Sequence, residues 1–358
     1  MGHPNLKCDG VTDVVYKAAV IGLGFIGAGD QVSGDALGQK VENLDGTHGP
    51  ALAAHRQVDI VAGSSRDEGR RRRFAERLSV ERTYADWREM LGTEELDIVS
   101  IATYSPWHAE VAIACAEAGV KAVICEKPIT TIVSDADRVI EACQKHGTIL
   151  AINHPRRWHP LWRAAREEIL GGTIGQISHV HTYWPSGRMG NIGTHMFDAA
   201  SFLLDSKPVA VSGVLDPFVP PDCRGAQFHD PGGWGMIRLE NGVRVHVDAA
   251  AGIALPFGFK IYGSLGFIEM GKEDADIRMW NGQSRTISCE PDRPNSLEIG
   301  VDEVVRCLDG GGEVSPTGEK ARDALEAIVA FHISHKNNGR WVPLPLEGED
   351  RDIEVKIG

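Results

Sequence analysis

Short apolar runs recur over residues 18–152 with helical patterns between them, and this alternation constrains the fold more than any other feature of the chain. The runs are 18–21, 59–63, 98–102, 122–125 and 149–152, each rich in Val, Ile or Ala, as a strand buried on both faces must be. Helical patterns fill the intervals at 70–77, 87–91, 108–118 and 134–146. In the third of these, Val111, Cys115 and Ala118 recur at three- or four-residue spacing, which marks one buried helix face. Ser134 and Asp135 are N-cap candidates for the last helix, and Gly119 and Gly147 occupy C-cap positions. The pattern predicts a parallel, doubly wound sheet.

After residue 152 the texture changes. Strand-like runs dominate at 176–184, 209–215, 235–239, 243–250, 259–262, 267–270, 277–280 and 285–288. Glu240-Asn241-Gly242 and Trp280-Asn281-Gly282 are hairpin cues between them. Helical patterns lie at 161–170, 298–308 and 318–337, and a strand at 341–346 closes the chain. The reading is an α/β protein: a leader at 1–14, a doubly wound dinucleotide-binding domain at 15–152, and an α+β domain with a mostly antiparallel open sheet at 153–358. A chain of 358 residues exceeds one comfortable core, which agrees with two domains. One stretch, 28–47, interrupts the helix that should follow the first strand directly; Leu37, Val41 and Leu44 have helical spacing there. It reads as a surface excursion or as a lid beside the nucleotide.

The net charge of −13, with no basic tail or aromatic-interleaved basic patch, argues against a nucleic-acid partner. The seven cysteines, Cys8, Cys115, Cys125, Cys143, Cys223, Cys289 and Cys307, are odd in number and include no CxxC pair. They suit a reducing compartment, so a cytoplasmic location is expected. No apolar signal segment and no run of membrane-spanning length is visible.

Gly22-Leu23-Gly24-Phe25-Ile26-Gly27 follows the first strand directly. In a dinucleotide cradle the first glycine permits the turn, the second lets backbone approach a pyrophosphate, and the third allows close helix–sheet packing. Gly22, Gly24, Phe25, Ile26 and Gly27 are therefore cofactor-binding candidates. At the end of the second strand stand Ser64, Ser65 and Arg66, with Arg70–Arg73 nearby, where an acidic residue would favour NAD. Hydroxyls and a guanidinium suit a 2′-phosphate, so NADP is preferred to NAD. The alternative for the arginine run is a solvated helix face.

Glu126-Lys127-Pro128 follows the strand at 122–125, and downstream Asn191 and His195 stand four residues apart in a predicted helix. Hydride leaves a carbinol carbon only as its hydroxyl loses a proton, so a base must reach that oxygen. His195 is the base candidate, Lys127 the donor that stabilises a developing alkoxide, and Asn191 their neighbour on one helical face or at its cap. Asp198 either orients the ring or is structural. Each residue alone has an ordinary reading, a surface lysine or a packed histidine.

These motifs resemble the glucose–fructose oxidoreductase, inositol dehydrogenase and rhizopine-catabolism (Gfo/Idh/MocA) oxidoreductases. The resemblance covers nearly the whole chain. It includes the glycine loop, Ile101-Ala102-Thr103, His108, Glu126-Lys127-Pro128, the run from Asn153 to Pro160, Gly172-Thr173-Ile174-Gly175 and Gly193-Thr194-His195-Met196-Phe197-Asp198. It implies that Thr103, Ser105, His108, Glu126 and Lys127 also contact the cofactor, that the Lys127–Pro128 bond is cis, and that the open sheet forms homodimers or homotetramers. It implies a sugar or polyol substrate and no metal. Two departures stand out: Tyr104 and Ser105 replace a proline and an asparagine, and Asn191 replaces an aspartate common in inositol dehydrogenases.

For a sugar, Arg157, Trp158, His159, Tyr183, Trp184 and Arg188 offer stacking and hydrogen-bonding groups; Trp158 and Trp162 also read as interface packing. His154, Trp107 and His229-Asp230 are rim candidates. His246 and Asp248 alternate along a strand and read as sheet-face residues. The expected activity is NAD(P)-dependent hydride transfer to or from a secondary hydroxyl of a sugar, sugar derivative or cyclitol. Two rivals are an NAD-assisted glycoside-cleaving enzyme and a non-catalytic sugar or nucleotide sensor.

Overall fold

A computed structural model describes residues 14–217, 219, 222, 224–250 and 257–357. The proposed leader, save Val14, and Cys8 and Cys223 lie outside the described residues. The first sheet comprises β1 (Tyr16–Ile21), β2 (Val58–Ser64), β3 (Arg82–Tyr84), β4 (Ile98–Ile101), β5 (Ala122–Cys125) and β6 (Ile149–Ile152). All pairings are parallel and the order is β3-β2-β1-β4-β5-β6. Strands β4 and β5 are buried along their whole length, because helices cover both faces. The short β3 carries no apolar run and was not expected.

The elements between these strands are α1 (Phe25–Ala28), α2 (Gln31–Ala36), α3 (His48–Ala54), α4 (Glu68–Leu78), α5 (Trp87–Thr93), α6 (His108–Glu117) and α7 (Val133–His146). Helix α1 lasts one turn and stops at Gly29, whose φ of 64° is left-handed. The expected helix over 37–44 does not form: Leu37 closes α2, and a 3₁₀ turn covers Val41–Asn43. Ser134 and Asp135 do not cap α7. Ile132 holds that position, Ser134 donates to Asp352 at 2.5 Å, and Asp135 accepts from Arg138 at 2.5 Å. Gly147 is the left-handed C-cap.

The second sheet has nine strands: β7 (Ile177–Pro185), β8 (Pro208–Leu215), β9 (Gly233–Leu239), β10 (Arg244–Ala250), β11 (Gly258–Gly263), β12 (Gly266–Met270), β13 (Asp274–Met279), β14 (Ser284–Ser288) and β15 (Val342–Pro343). Their order is β14-β13-β12-β11-β7-β10-β9-β8-β15, antiparallel except between β7 and β10. The closing strand shrinks to two residues, one of them Pro343, which has no N–H for a ladder. Helices α8 (Pro160–Leu170), α9 (Gly193–Leu204) and α11 (Gly318–Lys336) cover one face. Along β7 the covered face takes Val180, Thr182 and Trp184, and the other takes His179, His181 and Tyr183. That open face also carries His246, whose ring lies 4.7 Å from that of His181, and Tyr262, stacked on His179 at 4.7 Å.

Helix α10 (Ser296–Leu308) belongs to the later half in sequence but packs on the first sheet. Leu297, Val301, Val304 and Val305 join Tyr16, Val20, Ile98 and Ile124 in one core. Trp158 sits at its centre, fully buried, donating through Nε1 to Glu303 at 3.0 Å. Asp45, near the end of the 28–47 excursion, accepts from Ser296 N at 3.2 Å and from Arg293 at 3.3 Å. The excursion is thereby clamped onto the start of α10. Among the described residues no helix is long and apolar enough to cross a membrane, and the five described cysteines are free thiols.

Removing the indole from this junction leaves a cavity and takes one donor from Glu303 Oε1, which keeps Ser315 N at 2.6 Å. Trp158→Ala is expected to lower unfolding free energy by about 3–5 kcal/mol, read from urea denaturation. A loss below about 1 kcal/mol would mean that α10 is not anchored through this residue.

Candidate functional site

The ladders of the first sheet run one residue past the strands. Gly22 N donates to Ser64 O at 2.9 Å, Ala102 N to Ile21 O at 2.8 Å, Glu126 N to Ile101 O at 2.8 Å and Asn153 N to Cys125 O at 2.7 Å. This aligns the glycine loop, Ala102-Thr103, Glu126-Lys127 and Asn153 along the carboxyl edge of the sheet. Ligands of open parallel sheets bind at that edge.

The glycine loop has the shape a dinucleotide needs. Gly22 has φ of 99°, and a Cβ there would fall 2.4 Å from Ala102 O. A Cβ on Gly27 would fall 1.8 Å from Gly22 O. At Gly24 the nearest atom is Arg70 Nη1, 3.5 Å from a notional Cβ, so the loop is open outward and faces a guanidinium. The one-turn α1 supplies less dipole than the long helix expected there; Arg70 adds formal charge. Phe25 is buried against Gly34, while Ile26 is half-buried. Of the arginine run, Arg73 is committed to Asp30 at 2.7 and 2.8 Å and Arg71 to the Ser65 and Arg66 carbonyls. Asp67 caps α4 by accepting from Arg70 N at 2.8 Å and so does not turn toward the cleft. Ser64 is buried, Ser65 half-buried and Arg66 exposed.

Two histidines brace this edge. His108, 1 % exposed, has Nδ1 2.8 Å from Pro128 O and Nε2 3.1 Å from Thr103 O. It ties the β4 and β5 loops together, and both ring nitrogens face protein carbonyls rather than the cleft. Ser105 is buried beside it. His48, from the start of α3, has Nε2 2.9 Å from Glu126 Oε1 and Nδ1 against Ser100 Oγ. Asn153 donates to the same Glu126 oxygen at 2.5 Å. Burial alone would raise Glu126, but His48, Lys127 and Asn153 hold its carboxyl down at about 2.

The Lys127–Pro128 peptide is cis. Lys127 Nζ donates to Asn191 O at 3.2 Å and lies 3.4 Å from Asn191 Oδ1. Burial depresses the amine to about 8; Arg224 and Arg188 push it further down, while Glu126 and Asp230 pull it up. Asn191 is not on the helix with His195, because α9 begins at Gly193 with Ile192 as its cap. Asp230, 5 % exposed, fixes the turn instead, accepting from Gly190 N at 2.7 Å and Asn191 N at 2.8 Å. His195 sits in the first turn of α9. Burial holds its imidazole well below the usual range, and the charges of Lys127 and Arg156 lower it further. Its Nδ1 is buried without a hydrogen-bond partner among the described residues.

Lys127 is thus brought against Asn191, and its charge reaches His195, with Arg188 at the rim bound to Asp222 at 3.1 Å. Arg224 holds the same carboxylate at 2.7 Å. Other candidates lie elsewhere. Arg157 is buried and spent on Asp198 at 2.8 and 3.0 Å. Asp198 also faces His154 at 3.0 Å, so it holds Arg157 and His154 rather than His195. Trp158 is in the core described above, Tyr183 is on the open sheet face, and Trp184 is buried with Nε1 on Gly187 O at 2.7 Å. His159 caps α8, and Arg293 lies 2.7 Å from its Nε2. His159, Glu273 and Cys289 are close enough to hold a metal ion, but the Arg293 cation already sits against that group. Tyr104 is exposed and meets Phe228 edge-on at 5.6 Å.

His48, Arg156, Asp222 and Arg224 were not singled out from sequence. His48 stands beyond the excursion that parts it from the glycine loop. Arg156 neighbours Arg157, and nothing in the sequence says which of the two is paired. Arg156 Nε is buried without a partner, its guanidinium carbon lies 5.2 Å from the Trp162 ring and 5.5 Å from that of Phe257, and burial lowers it to about 10.

Residues 16–154 match the family described as "Oxidoreductase family, NAD-binding Rossmann fold", and residues 162–269 match the "GFO/IDH/MocA C-terminal domain". The chain is 37% identical over 127 residues to D-apiose dehydrogenase from Paraburkholderia graminis, covering 35% of this chain and 34% of that protein. It is 30% identical over 244 residues to levoglucosan dehydrogenase from Pseudarthrobacter phenanthrenivorans, covering 56% and 62%. The matches thus span less than two thirds of either relative's length. A solved levoglucosan dehydrogenase in complex with NADH and levoglucosan shares the fold, with a TM-score of 0.76 at 23% identity over 92% of this chain and 100% of that one.

The Lys127 amine should titrate with a midpoint near pH 8, losing its charge as pH rises through that value, whereas ordinary lysines titrate near 10.4. Competitive amine labelling read by mass spectrometry checks this. Arg188→Gln removes a cation that disfavours the ammonium, so the midpoint should move upward. A midpoint above 10 in the unaltered protein would contradict the buried placement.

Proposed function

The chain belongs to the Gfo/Idh/MocA oxidoreductase family, and from that premise we propose that it moves a hydride between a nicotinamide cofactor and a secondary hydroxyl or ketone of a sugar, sugar derivative or cyclitol. The observation that carries this is the meeting of Lys127 with Asn191 beside His195, at the carboxyl edge of a sheet whose glycine loop fits a dinucleotide. The named relatives act on related polyhydroxy compounds, D-apiose and levoglucosan.

Residues 15–152 hold the cofactor and 153–358 supply the substrate side. When bound, the nicotinamide provides the hydride acceptor or donor. Gly22 and Gly24 would hold its diphosphate, with Gly27 keeping the helix close beneath and Thr103, Glu126 and Lys127 at the nicotinamide end. Lys127 keeps most of its charge at neutral pH and donates to the substrate oxygen. His195, held neutral, takes the hydroxyl proton. Asn191 keeps the amine aimed. In the reverse direction protonated His195 returns its proton to the forming hydroxyl while Lys127 donates a hydrogen bond to the same oxygen. Lys127→Ala and His195→Ala are each expected to lower kcat by about 10²–10⁴ while nucleotide binding, followed by protein fluorescence, survives. Unimpaired turnover in either variant would remove that residue from the chemistry.

The cofactor is taken to be NADP(H) in preference to NAD(H). Support comes from Arg70 beside Gly24, from Ser65 and Arg66, and from Asp67, which is used as a cap on α4. Arg70→Ala should raise KM for NADP about tenfold or more, as expected for a charge-assisted phosphate contact, and raise KM for NAD, which shares only the diphosphate, by clearly less. Equal effects on both cofactors would overturn the preference. The open face of the second sheet, with His179, His181, Tyr183 and Tyr262, is the surface through which a cytoplasmic homodimer or homotetramer would form.

A further inference from the structure

Four cations gather around the substrate side of the cleft. The charges of Arg188 and Arg224 reach Lys127, and that of Arg156 reaches His195. The carboxylates nearby are Glu126, Asp198, Asp222, Asp230 and Asp45, and each is already engaged, Asp45 by Ser296 N at 3.2 Å and Arg293 at 3.3 Å. Glu126 serves His48 and Asn153 at 2.9 and 2.5 Å. Asp198 serves Arg157 and His154 at 2.8 and 3.0 Å. Asp222 holds both Arg188 and Arg224, at 3.1 and 2.7 Å. Asp230 is taken by two backbone N–H groups at 2.7 and 2.8 Å. Position 191, where an aspartate would add a negative charge, is a neutral asparagine.

Arg156 is the cation left over. Among the described residues no carboxylate lies within ion-pair distance of it, its Nε is buried and unpartnered, and its guanidinium lies near the Trp162 and Phe257 rings. Arg156 is half-buried and feels the charges of Asp198 and Asp45 without pairing with either, so its guanidinium is left able to take an anion. The neighbouring Asn153 Oδ1 and His195 Nδ1 are likewise buried without partners among the described residues.

We propose, resting on the oxidoreductase reading above, that the substrate is a sugar acid whose carboxylate is bound by Arg156 while the hydroxyl to be oxidised lies between Lys127 and His195. A guanidinium presents paired N–H donors that match a carboxylate, which a neutral sugar cannot exploit. Selectivity then follows from charge rather than from ring size.

The test compares D-gluconate and D-glucuronate with D-glucose and myo-inositol, following nicotinamide reduction in the unaltered protein, Arg156→Gln and Arg156→Lys, with nucleotide binding as the check on folding. At least one acid should exceed the neutral compounds in kcat/KM by about ten- to a hundredfold. Arg156→Gln should bring that ratio toward one, and Arg156→Lys should keep part of it. Neutral compounds preferred by the unaltered protein, or a ratio that Arg156→Gln does not move, would overturn the carboxylate site and leave the oxidoreductase reading standing. Calorimetry on the nicotinamide complex separates the remaining cases. Acids that bind through Arg156 without turnover would keep the site and sink the hydride reading. Acids that bind no better than D-glucose would overturn the site.

Discussion

The molecule is organised around one half-buried ammonium. Lys127 stands at the end of β5, where burial disfavours its charge enough to bring it to about 8. Glu126 and Asp230 favour the ion, and what aims it is a carbonyl from the other half of the chain, Asn191 O at 3.2 Å. That carbonyl is presented only because Asp230 holds the two preceding amides. A single hydrogen bond is worth little net, but this one lies across the meeting of the two sheets. It sets where the amine points relative to His195.

The frame around it divides into fixed parts. The parallel ladder sets Glu126 and Asn153 side by side, and His108 locks the Thr103 and Pro128 carbonyls together. His48 completes the frame from below. It reaches Glu126 although residues 28–47 separate it from the glycine loop. The excursion therefore leaves the sheet edge undisturbed: α1 stops early, and α3 resumes the usual position against β2. Its far end is fastened to α10 through Asp45, Ser296 and Arg293. The excursion thus links a loop beside the cofactor cradle to a helix drawn from the later half of the chain.

Much of this was legible in the sequence. The five apolar runs became β1, β2, β4, β5 and β6, because a strand buried on both faces has few residue types open to it. The hairpin cues at Asn241-Gly242 and Asn281-Gly282 lie where β9 turns to β10 and β13 to β14. What failed was of another kind. Helical spacing at Leu37, Val41 and Leu44 says nothing about the left-handed Gly38, which follows α2 directly. Pairing choices between adjacent like residues were also invisible. Arg156 and Arg157 look alike in sequence, and only the position of Asp198 decides which one is neutralised. Trp158, a natural stacking candidate by type, is claimed by Glu303 from 145 positions away.

The state of His195 follows from the same charge pattern. A base must be unprotonated at working pH, and here burial together with the neighbouring cations Lys127 and Arg156 ensures it. Those cations have a second effect at the same place. An oxygen losing its proton to His195 develops negative charge, which a positive, water-poor surrounding stabilises most at the transition state. One field therefore serves both needs: it keeps the acceptor empty and lowers the energy of what is left after the proton moves. An aspartate at position 191 would weaken both effects at once, since it would raise the imidazole and oppose the alkoxide. Asparagine keeps the hydrogen bond to Lys127 and adds no charge, so the departure at this one position fits the rest of the site.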